Sequence, residues 1–440
     1  MTENTLINTL VEIAGEKNVL SNPAELEGYE IDDVVPRSAV FPKTADQISE
    51  IMKFATADGL SVIPWGMGTK QSIGEMPERA DIIVGTKNLS KIIEHEANDL
   101  IATAQAGASL KKFQTRLKKQ NQFLPLDITD KASIGGIVAT NDSGPMRLRY
   151  GTVRELMIGL KVVRADGSVF KGGSKVVKNV AGYDLPKLFT GSFGSLGIIT
   201  EATFRLYPIP EYSETYIIHF SSPEKAHETV MSLLNSQLVL VALEVLNPGL
   251  VNTVDSKTNL GLDTGSHVLV IRIMNVKKAV KDQTRAIQKI TKDRDRSRIV
   301  VDGRNEEKLW HEISEFSHDN PGINHIVCKA GVPINDVPKV FSELSRLENE
   351  QGVNITASAR AGNGIFNILF DGEDSLLVEI LKELRAFCLS MNGYLTLQSA
   401  PAVMKSKISV WGDIGPAVNL MKRIKHNFDP DNLLNPGRFL

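Results

Sequence analysis

The segment from Pro64 to Lys70 places two glycines directly after an apolar stretch that predicts a strand. Small residues of this kind allow backbone N–H groups to converge on an anion, so the loop could bind a phosphate. It is not the dinucleotide-binding fingerprint, because Gln71 stands where the third glycine belongs, and it lacks the Gly-Lys-Ser/Thr of a P-loop. Taken alone, an ordinary tight turn explains the loop equally well. The candidate residues are Pro64, Trp65, Gly66, Met67, Gly68, Thr69 and Lys70.

Three further segments, 133–144, 149–152 and 191–200, are rich in glycine and in turn-forming polar residues. Twelve of the chain's 34 glycines lie between residues 135 and 197, a density that indicates backbone packed closely against itself or against a ligand. In the same region, Asp166-Gly167 between β-branched runs predicts a hairpin. Each segment by itself could be structural turn chemistry. The candidate ligand-binding residues are Ser133, Gly135, Gly136, Asn141, Ser143, Gly144, Tyr150, Gly151, Thr152, Gly194, Gly197, Ile198 and Ile199.

The cysteines and histidines limit the redox and metal chemistry that is open to the chain. Cys328 and Cys388 are far apart in apolar sequence, which predicts buried thiols rather than a disulfide. No CxxC occurs, so the chain cannot ligate an iron–sulfur cluster by itself. Electrons from any redox reaction would therefore leave through oxygen, a mobile acceptor or another subunit. The eight histidines form no pair with metal-ligand spacing, and we predict no metal site.

Periodic apolar residues predict the elements that hold the first of these segments. A helix over Leu6–Ala14 and a strand over Ser38–Phe41 precede a capping box at Thr44, which opens a second helix. The short strands predicted next are Leu60–Ile63, Asp81–Val84 and Leu100–Gln105. These elements form a first domain of mixed helices and strands that ends near Pro210.

Beyond Pro210 the glycine density falls, and the pattern predicts an antiparallel sheet with helices on one face, running to about Pro401. The predicted strands include Tyr216–Phe220, Val241–Val245 and Val268–Ile273. The basic stretch Lys277–Arg298 predicts a solvated helix, with docking to an acidic partner as the alternative. We therefore expect an N-terminal helical segment (1–31), a first domain (32–210), a second domain (211–401) and a C-terminal segment that returns to the first domain (402–440).

The overall composition is that of an ordinary globular protein, with 42% hydrophobic and 23% charged residues among 440. The formal net charge of -2 gives no reason to expect binding to nucleic acid or to an anionic membrane. The first residues lack the basic and apolar regions of a signal peptide, and no stretch reaches the ~20 apolar residues of a membrane span. We expect a cytoplasmic protein that meets the inner face of a membrane only through partners.

The glycine-rich segments, in this order, resemble the FAD-binding half of the vanillyl-alcohol-oxidase (PCMH-type) family over about Asp33 to Pro210. The resemblance implies an α+β fold, with a two-subdomain FAD-binding domain and an antiparallel-sheet cap domain. It also implies that the loop Pro64–Lys70 wraps the FAD pyrophosphate, that segment 133–144 passes beside the flavin and adenine, and that segment 191–200 completes the pocket. Covalent members attach the flavin to His or Cys near these loops. Residues 64–74 and 128–152 contain neither, which predicts noncovalent FAD.

Residues 143–147 and 175–185 are similar to the smaller FAD-binding subunit of bacterial glycolate oxidase. The run from Asp429 to Arg438 is shared with the wider glycolate and D-lactate oxidase branch. The resemblance implies a small 2-hydroxyacid substrate, with a larger flavoprotein subunit and an iron–sulfur subunit as partners. Two rivals stay open: a self-sufficient FAD-dependent dehydrogenase or oxidase of another small alcohol or acid, and a non-catalytic flavin-binding subunit.

The predicted cap domain departs from the catalytic members of this branch. Those members carry His-x-Gly-Asp-Gly-Asn-x-His, whose histidines bind a divalent metal, at positions where this chain has Arg360 and Asn367. Arginine cannot ligate a metal at ordinary pH. Their Gly-Glu-His-Gly corresponds here to the stretch Thr396–Pro401, and their carboxylate-binding Arg corresponds to Ile313. We predict that the metal-assisted site is lost.

Three residues are candidates for catalysis in its place. Oxidation of a 2-hydroxy acid requires hydride transfer to the flavin and a base for the hydroxyl proton. Arg360 could bind a carboxylate bidentately, and the retained Gly362 and Gly364 indicate that its strand still runs close to the flavin. His311 or His325 could serve as the base. The alternatives are a salt-bridge role for Arg360 and a structural or exposed position for each histidine.

Overall fold

The computed structural model describes residues 2–173, 184–292, 298–317 and 325–440. Most of the stretch 175–185, which carries part of the resemblance to the glycolate oxidase subunit, lies outside the described residues, as does His318. The chain separates into two compact units. Unit 1 comprises Met1–Asp142, Thr152–Ile209 and Asp413–Leu440, and unit 2 comprises Ser143–Gly151 and Pro210–Gly412.

The helices begin at the polar caps that the sequence provides. Thr44 accepts a hydrogen bond from the Gln47 N–H at 3.1 Å, and Ser109 accepts one from the Lys112 N–H at 3.2 Å. Among the described residues, no helix has both the length and the apolar character needed to cross a membrane. In chain order the helices are α1 (Glu3–Ala14), α2 (Pro23–Leu26), α3 (Ala45–Ala57), α4 (Leu110–Lys118), α5 (Ile134–Thr140), α6 (Arg147–Tyr150), α7 (Val153–Leu156), α8 (Leu185–Phe189), α9 (Pro223–Leu234), α10 (Pro248–Thr258), α11 (Lys277–Ile290), α12 (Gly303–Glu315), α13 (Val337–Gln351), α14 (Asp374–Ser390), α15 (Ala402–Lys405) and α16 (Ala417–Phe428).

Unit 1 contains two larger sheets and one strand pair. Its strands are β1 (Val19–Leu20), β2 (Ser38–Val40), β3 (Val62–Trp65), β4 (Ile82–Gly85), β5 (Ile92–Glu96), β6 (Ile101–Gln105), β7 (Gln122–Phe123), β8 (Met157–Val163), β9 (Val169–Gly173), β10 (Ile198–Arg205) and β11 (Tyr207–Pro208). The first sheet has the order β1-β2-β4-β3, with β2, β4 and β3 parallel, and the second is antiparallel in the order β5-β6-β10-β8-β9. Helices α1 and α3 pack on the first sheet, and α4 and α5 pack on the second.

Two local details of unit 1 bear on the predicted segments. The hairpin predicted at Asp166-Gly167 is confirmed, since β8 and β9 pair and Gly167 has a φ of +77°. The strand predicted over Leu60–Ile63 is shifted and runs from Val62 to Trp65. Pro64 and Trp65 are therefore strand residues, and the loop itself begins at Gly66.

Unit 2 is built on one antiparallel sheet with strands β12 (Tyr212–Phe220), β13 (Ala242–Leu246), β14 (His267–Asn275), β15 (Arg298–Val301), β16 (His325–Gly331), β17 (Asn354–Arg360), β18 (Ile365–Asp371) and β19 (Tyr394–Ser399). Its order is β15-β12-β14-β13-β17-β18-β16-β19. Helices cover both faces, so the expectation of helices on one face was wrong: α9, α11, α13 and α14 pack on one side, α10 and α12 on the other. The reason is that β12, β13 and β14 bury nearly all of their residues on both faces of the sheet, so each face needs a covering layer.

Candidate active site

The loop that follows β3 can keep its path only because two of its residues are glycine. A Cβ on Gly66 would lie 2.2 Å from Oγ of Ser133, and Gly68 has a φ of +78° beside the ring of Trp65. Any other residue at position 66 would clash with Ser133, and a residue with a Cβ at position 68 would be strained in the left-handed backbone region. Met67 is exposed, and the half-buried loop residues are Pro64, Trp65, Gly66, Gly68, Thr69 and Lys70. Close backbone approach of this kind is what an anion-binding loop requires.

The segment that begins at Ser133 meets this loop at two points. Ser133 caps α5 by accepting a hydrogen bond from the Gly136 N–H at 3.2 Å, and its hydroxyl is the atom closest to Gly66. Beyond the far end of α5, Lys70 approaches Asp142 with 3.5 Å between Nζ and Oδ2. The structure thus brings together two segments that are separated by more than sixty residues of sequence.

Helix α5 is held close to its neighbours by small residues. A Cβ on Gly135 would lie 2.7 Å from the Cβ of Ala106, so glycine permits the helix to touch the backbone beyond β6. Asn141 ends the helix in the left-handed region, with a φ of +49°. A Cβ on Gly191 would lie 3.5 Å from the Cβ of Asn141. The glycine-rich segment 191–200 therefore begins beside the end of this helix.

Segment 191–200 also contacts the loop Pro64–Lys70. The Phe193 N–H donates to the Ala139 carbonyl at 2.8 Å, and a Cβ on Gly194 would lie 3.0 Å from Pro64 Cγ. Gly197 is packed as tightly, since its Cβ would lie 2.4 Å from a methyl of the neighbouring strand. Ile198 and Ile199 begin β10 and are buried. Three of the predicted segments accordingly surround one region of unit 1.

The same region carries buried polar atoms that protein groups leave unused. Asn141 Oδ1, Ser192 Oγ and Asn435 Oδ1 have no hydrogen-bond partner among the described residues. Buried polar atoms in native proteins are nearly always satisfied by protein, water or ligand. Together with the glycine contacts above, these atoms fit a polar ligand such as FAD, which has phosphate, hydroxyl and ring-nitrogen groups to offer.

The end of segment 133–144 and most of segment 149–152 belong to unit 2. These residues include Ser143, Gly144, Tyr150 and Gly151, whereas Thr152 belongs to unit 1 and caps α7. Thr152 donates from its N–H to the carboxylate of Glu155 at 2.8 Å. Burial alone would raise the pKa of Glu155, but the Thr152 hydrogen bonds hold that pKa below its ordinary value. Thr152 therefore has a structural role in unit 1, independent of any ligand.

In unit 2, Arg360 ends β17 and is nearly sealed from solvent, with 6% of its surface exposed. Its Nη1 donates to Ser143 Oγ at 3.3 Å, while its Nε is buried without a hydrogen-bond partner among the described residues. Glu244 lies directly opposite on β13 and is also buried. A buried guanidinium with an unused donor is costly unless an anion satisfies it. The site can therefore bind a ligand carboxylate, and the carboxylate of Glu244 would compete with the ligand for Arg360.

Polar side chains line the same face of the sheet beside Arg360. Strand pairing aligns Ser358, Asn367, Lys329 and Thr396 in one row, two residues along from the row of Arg360. The alternate residues of these strands fill the hydrophobic core on the opposite face. Three members of the polar row are half-buried rather than sealed: Asn367, Lys329 and Thr396. This half of the sheet face is suited to bind a small polar molecule.

Tyr394 continues the row of Arg360 on the edge strand β19. Although 43% of the residue's surface is exposed, desolvation raises the pKa of its phenol, and the charges of Arg147 and Arg360 offset this only in part. Tyr394 consequently keeps its proton at neutral pH and can donate a hydrogen bond. Two guanidinium groups and a phenol donor favour a carboxylate rather than a cation.

The two candidate histidines are not brought to Arg360. His325 pairs with Asp371, six residues along β18 from the partner of Arg360, which is roughly 20 Å at the usual rise of a strand. Its Nδ1 lies 3.6 Å from the Asp371 carboxylate. His311 is exposed on α12, whose apolar face packs on β12, three strands away from β17. Within the described ranges, no group of three or more His, Cys, Asp and Glu side chains could hold a metal ion.

Two family models match the sequence. One, described as FAD binding domain, matches residues 36–173, and the other, described as FAD linked oxidases, C-terminal domain, matches residues 209–439. The second match alone covers more than half of the 440 residues. The chain belongs to the FAD-linked oxidase family. It is an FAD-dependent oxidoreductase of α+β fold, which confirms the cofactor and the fold class predicted from the order of the glycine-rich segments.

Individual relatives narrow the type of FAD-linked oxidase. The chain is 27% identical over 460 residues to the probable mitochondrial D-lactate dehydrogenase of Danio rerio, covering 99% of this chain and 91% of that protein. It is 26% identical over 449 residues to the glycolate oxidase subunit GlcD of Bacillus subtilis, covering 98% and 95%. The solved structure of p-cresol methylhydroxylase with substrate bound has a TM-score of 0.78 at 17% identity, covering 99% of this chain and 96% of that one. The structural likeness shows the PCMH-type fold, and the relatives show an FAD-linked oxidoreductase of the GlcD and D-lactate dehydrogenase type.

Several residues of this FAD-linked oxidase site escaped the sequence analysis. Lys329 was missed because its place on the same sheet face as Arg360 depends on the pairing of β16 and β17 with β18. A signal exists, since Lys329 is a cation between the buried residues Cys328 and Ala330. Ser192 and Asn435 lie in segments 191–200 and 429–438, which the sequence analysis singled out, but neither residue was itself named as a candidate, and each keeps a buried side-chain oxygen without a hydrogen-bond partner among the described residues.

Proposed function

We propose that this chain is the FAD-binding subunit of a glycolate-oxidase-like complex that oxidises a small 2-hydroxy acid and passes the electrons to a partner subunit. The observation that carries the proposal is Arg360, a buried cation with an unused Nε donor on a polar sheet face. A guanidinium in that state is matched by a carboxylate, which every 2-hydroxy acid possesses.

FAD in this proposal is held by unit 1. Backbone N–H groups of the loop Pro64–Lys70 bind its pyrophosphate, and the unused polar atoms of Asn141, Ser192 and Asn435 bind its other polar groups. Neither His nor Cys lies in the loops at 64–74 and 128–152, so FAD is noncovalent. When bound, FAD supplies a two-electron acceptor for the oxidation.

The substrate in this proposal is anchored by unit 2. Arg360 binds the carboxylate, Lys329 adds a second positive charge on the same face, and Tyr394 donates a hydrogen bond. The resemblance implies that the strand of Arg360 runs close to the flavin. His311 and His325 stay predictions as bases, although neither lies beside Arg360 in unit 2.

In this proposal the electrons leave through another subunit, because the chain has no iron–sulfur ligand set of its own. Cys328 and Cys388 are both buried, and no CxxC occurs in the sequence. Burial raises the pKa of Cys388 to about 12, so its thiol stays protonated at neutral pH. A larger flavoprotein subunit and an iron–sulfur subunit would supply the missing path, and one relative is itself named as a glycolate oxidase subunit.

The decisive experiment is anaerobic reduction of the bound flavin in the isolated chain. Glycolate, D-lactate and L-lactate are each added to the FAD-loaded protein, and flavin absorbance near 450 nm is followed. The proposal expects bleaching by a 2-hydroxy acid and no bleaching by the matching 2-methoxy acid, which keeps the carboxylate but has no hydroxyl proton to lose. Absence of bleaching by every acid, with full FAD occupancy, would favour the non-catalytic subunit instead.

A second candidate is a self-sufficient dehydrogenase. It is favoured by the match to a protein named as a probable D-lactate dehydrogenase, of which this chain covers 91%. Steady-state turnover by the isolated chain with an artificial acceptor, at a rate unaffected by partners captured from the native host, would support this candidate. Bleaching without turnover, together with copurifying flavoprotein and iron–sulfur subunits, supports the complex.

A further inference from the structure

Residues 425–438, here called the clasp, comprise the last turn of α16 and the segment after it, which meets β3 through an isolated parallel bridge between Val62 and Leu434. The Val62 N–H donates to the Leu433 carbonyl at 2.7 Å, and the Asn435 N–H donates to the Val62 carbonyl at 2.9 Å. Because β3 leads directly into the loop Pro64–Lys70, the clasp fixes the base of that loop.

Arg438 extends the clasp to the far side of the loop. Its Nη1 donates to Gln71 Oε1 at 3.0 Å, and its Nη2 donates to the carbonyls of Gln71 and Ile73, the latter at 2.7 Å. Gln71 in turn donates from Nε2 to the Pro64 carbonyl at 3.1 Å. Burial lowers the pKa of Arg438 to about 10, and Asp32 partly offsets this, so the side chain is charged at neutral pH. Arg438 therefore binds Gln71 and Ile73 at the end of the loop, and Gln71 links them to Pro64 at its start.

The clasp also contacts the glycine-rich segment 191–200. Asn435 donates from Nδ2 to the Phe193 carbonyl at 2.5 Å, and Lys425 donates from Nζ to the Ser195 carbonyl at 2.9 Å. Lys425 is itself buried and ion-paired with Asp429. Asn435 additionally keeps a buried Oδ1 without a partner among the described residues. One segment therefore supports two of the loops that are proposed to line the FAD site, and it presents an atom to the same region.

We infer that the clasp is a positioning element for FAD: its docking sets the geometry of both loops, and bound FAD in return holds the clasp docked. The inference rests on the proposed FAD role of the loop Pro64–Lys70. Coupling between two binding events is reciprocal, so an interaction that strengthens FAD binding must also strengthen docking by the same factor.

Limited proteolysis measures the docking directly. Trypsin cleaves after Arg438 only when that buried side chain leaves its place and enters the protease pocket. Saturating FAD is expected to slow cleavage after Arg438 between about 5- and 150-fold relative to the apoprotein. Lys43, which is exposed in the same unit, is the internal control and should be cleaved at the same rate with and without FAD. Equal rates after Arg438 in both states would overturn the inference.

Affinity measurements examine the other half of the coupling. Arg438→Met keeps the length of the side chain but removes its donors, and it should raise the dissociation constant of FAD by about fivefold or more, measured by quenching of flavin fluorescence. Arg423→Met, at an exposed position on α16, is the matched control and should leave that constant unchanged. Asn435→Ala provides a milder variant should Arg438→Met fold poorly, and its expected effect has the same sign.

The outcomes separate the clasp from the loop assignment. If Gly68→Val abolishes FAD binding while Arg438→Met and Asn435→Ala bind FAD as the wild type does, the clasp inference fails and the loop assignment survives. If Gly68→Val leaves FAD binding unaltered, the loop assignment fails and the clasp inference falls with it. Weakened FAD binding in Gly68→Val and in both clasp variants supports the two together.

Discussion

The two units build their candidate sites in opposite ways. In unit 1 the site is made by backbone that glycine allows to come close, as where Gly66 meets Ser133 and Gly194 meets Pro64. In unit 2 the site is made by long side chains such as Arg360, which strand pairing places beside residues from distant parts of the chain. A site made of backbone is disrupted by adding an atom, and a site made of side chains is disrupted by removing one. The predictions below use that difference.

The largest effect is expected for Gly68→Val in unit 1. Gly68 has a φ of +78°, and its Cβ would lie 3.2 Å from the Trp65 ring, so a β-branched residue forces the loop out of its path. Left-handed strain costs about 1–3 kcal/mol, which predicts a loss of roughly 5- to 150-fold in FAD affinity. Fluorescence titration of the apoprotein with FAD measures it.

The matched control for this variant is Gly59→Val. Gly59 has a similar φ of +64°, but nothing lies within 4 Å of its Cβ and it is outside the loop. It should lower stability without changing FAD affinity. Equal losses of affinity in both variants would mean that general strain, rather than the loop, governs binding.

The contrast between the units also explains how much the sequence could predict. The cap at Thr44 and the hairpin at Gly167 follow from residues within a few positions of each other, and both are present. The strand predicted over Leu60–Ile63 was shifted because its limits depend on pairing with β4 and with Leu434, which are distant in sequence.

In unit 2 the sequence could name Arg360 but not its surroundings. Glu244 lies opposite Arg360 through strand register, Lys329 shares its sheet face two strands away, and Ser143 meets it through a hydrogen bond; all three depend on the folded sheet rather than on any local pattern. For the same reason the sequence could not place His325, which shares the sheet with Arg360 but lies toward the opposite end of β18. Long-range pairing was the missing information in each case.

An effect of comparable size concerns acid stability, and it contrasts a buried ion pair in unit 1 with a buried histidine in unit 2. In unit 1 the buried Lys425 is ion-paired with Asp429, whereas in unit 2 His267 is buried in an apolar environment beside Phe341. Burial lowers the pKa of His267 to about 4, partly opposed by Glu224. The unfolded chain therefore binds more protons than the folded one between pH 6.5 and 4, and stability falls as pH falls through that window. The loss attributable to His267 is roughly 3 kcal/mol.

Urea unfolding at pH 7 and at pH 4.5, followed by circular dichroism, measures this loss. His267→Leu removes the titrating group and should flatten the pH dependence by about 2–3 kcal/mol. His426→Leu, at an exposed position in unit 1, should retain the wild-type slope. A His267→Leu profile as steep as that of the wild type would show that other groups control acid unfolding.

Within the site of unit 2, Arg360→Ala should weaken binding of a 2-hydroxy acid by about 1.5–3 kcal/mol, or roughly ten- to a hundredfold. Its guanidinium is the buried cation available to the substrate carboxylate, and Arg360→Lys should recover only part because an ammonium lacks the planar fork. The concentration of acid that half-bleaches the flavin measures the change. If Arg360 only forms an ion pair with Glu244, Arg360→Ala loses stability while the half-bleaching concentration stays constant.

The same assay addresses the predicted absence of a metal. The resemblance to the metal-bearing members implies that Arg360 and Asn367 stand where those proteins have histidines, so we predict that flavin reduction is unaffected by chelators and by added divalent cations. Stimulation by a divalent metal that chelators reverse would contradict the prediction.

The smallest effect is expected for Ser143→Ala, which tests whether Arg360 needs its protein partner. The hydroxyl of Ser143 accepts one hydrogen bond from Nη1 of Arg360 at 3.3 Å, and this bond orients the guanidinium without supplying charge. Its removal should cost about 0.5–1.5 kcal/mol of substrate affinity, well below the loss for Arg360→Ala. When Ser143→Ala is combined with Arg360→Ala, it should cause no further loss of substrate affinity, because there is no guanidinium left to orient. Additive losses would mean that Ser143 contributes to binding through another contact, and the side-chain site of unit 2 would then extend beyond Arg360.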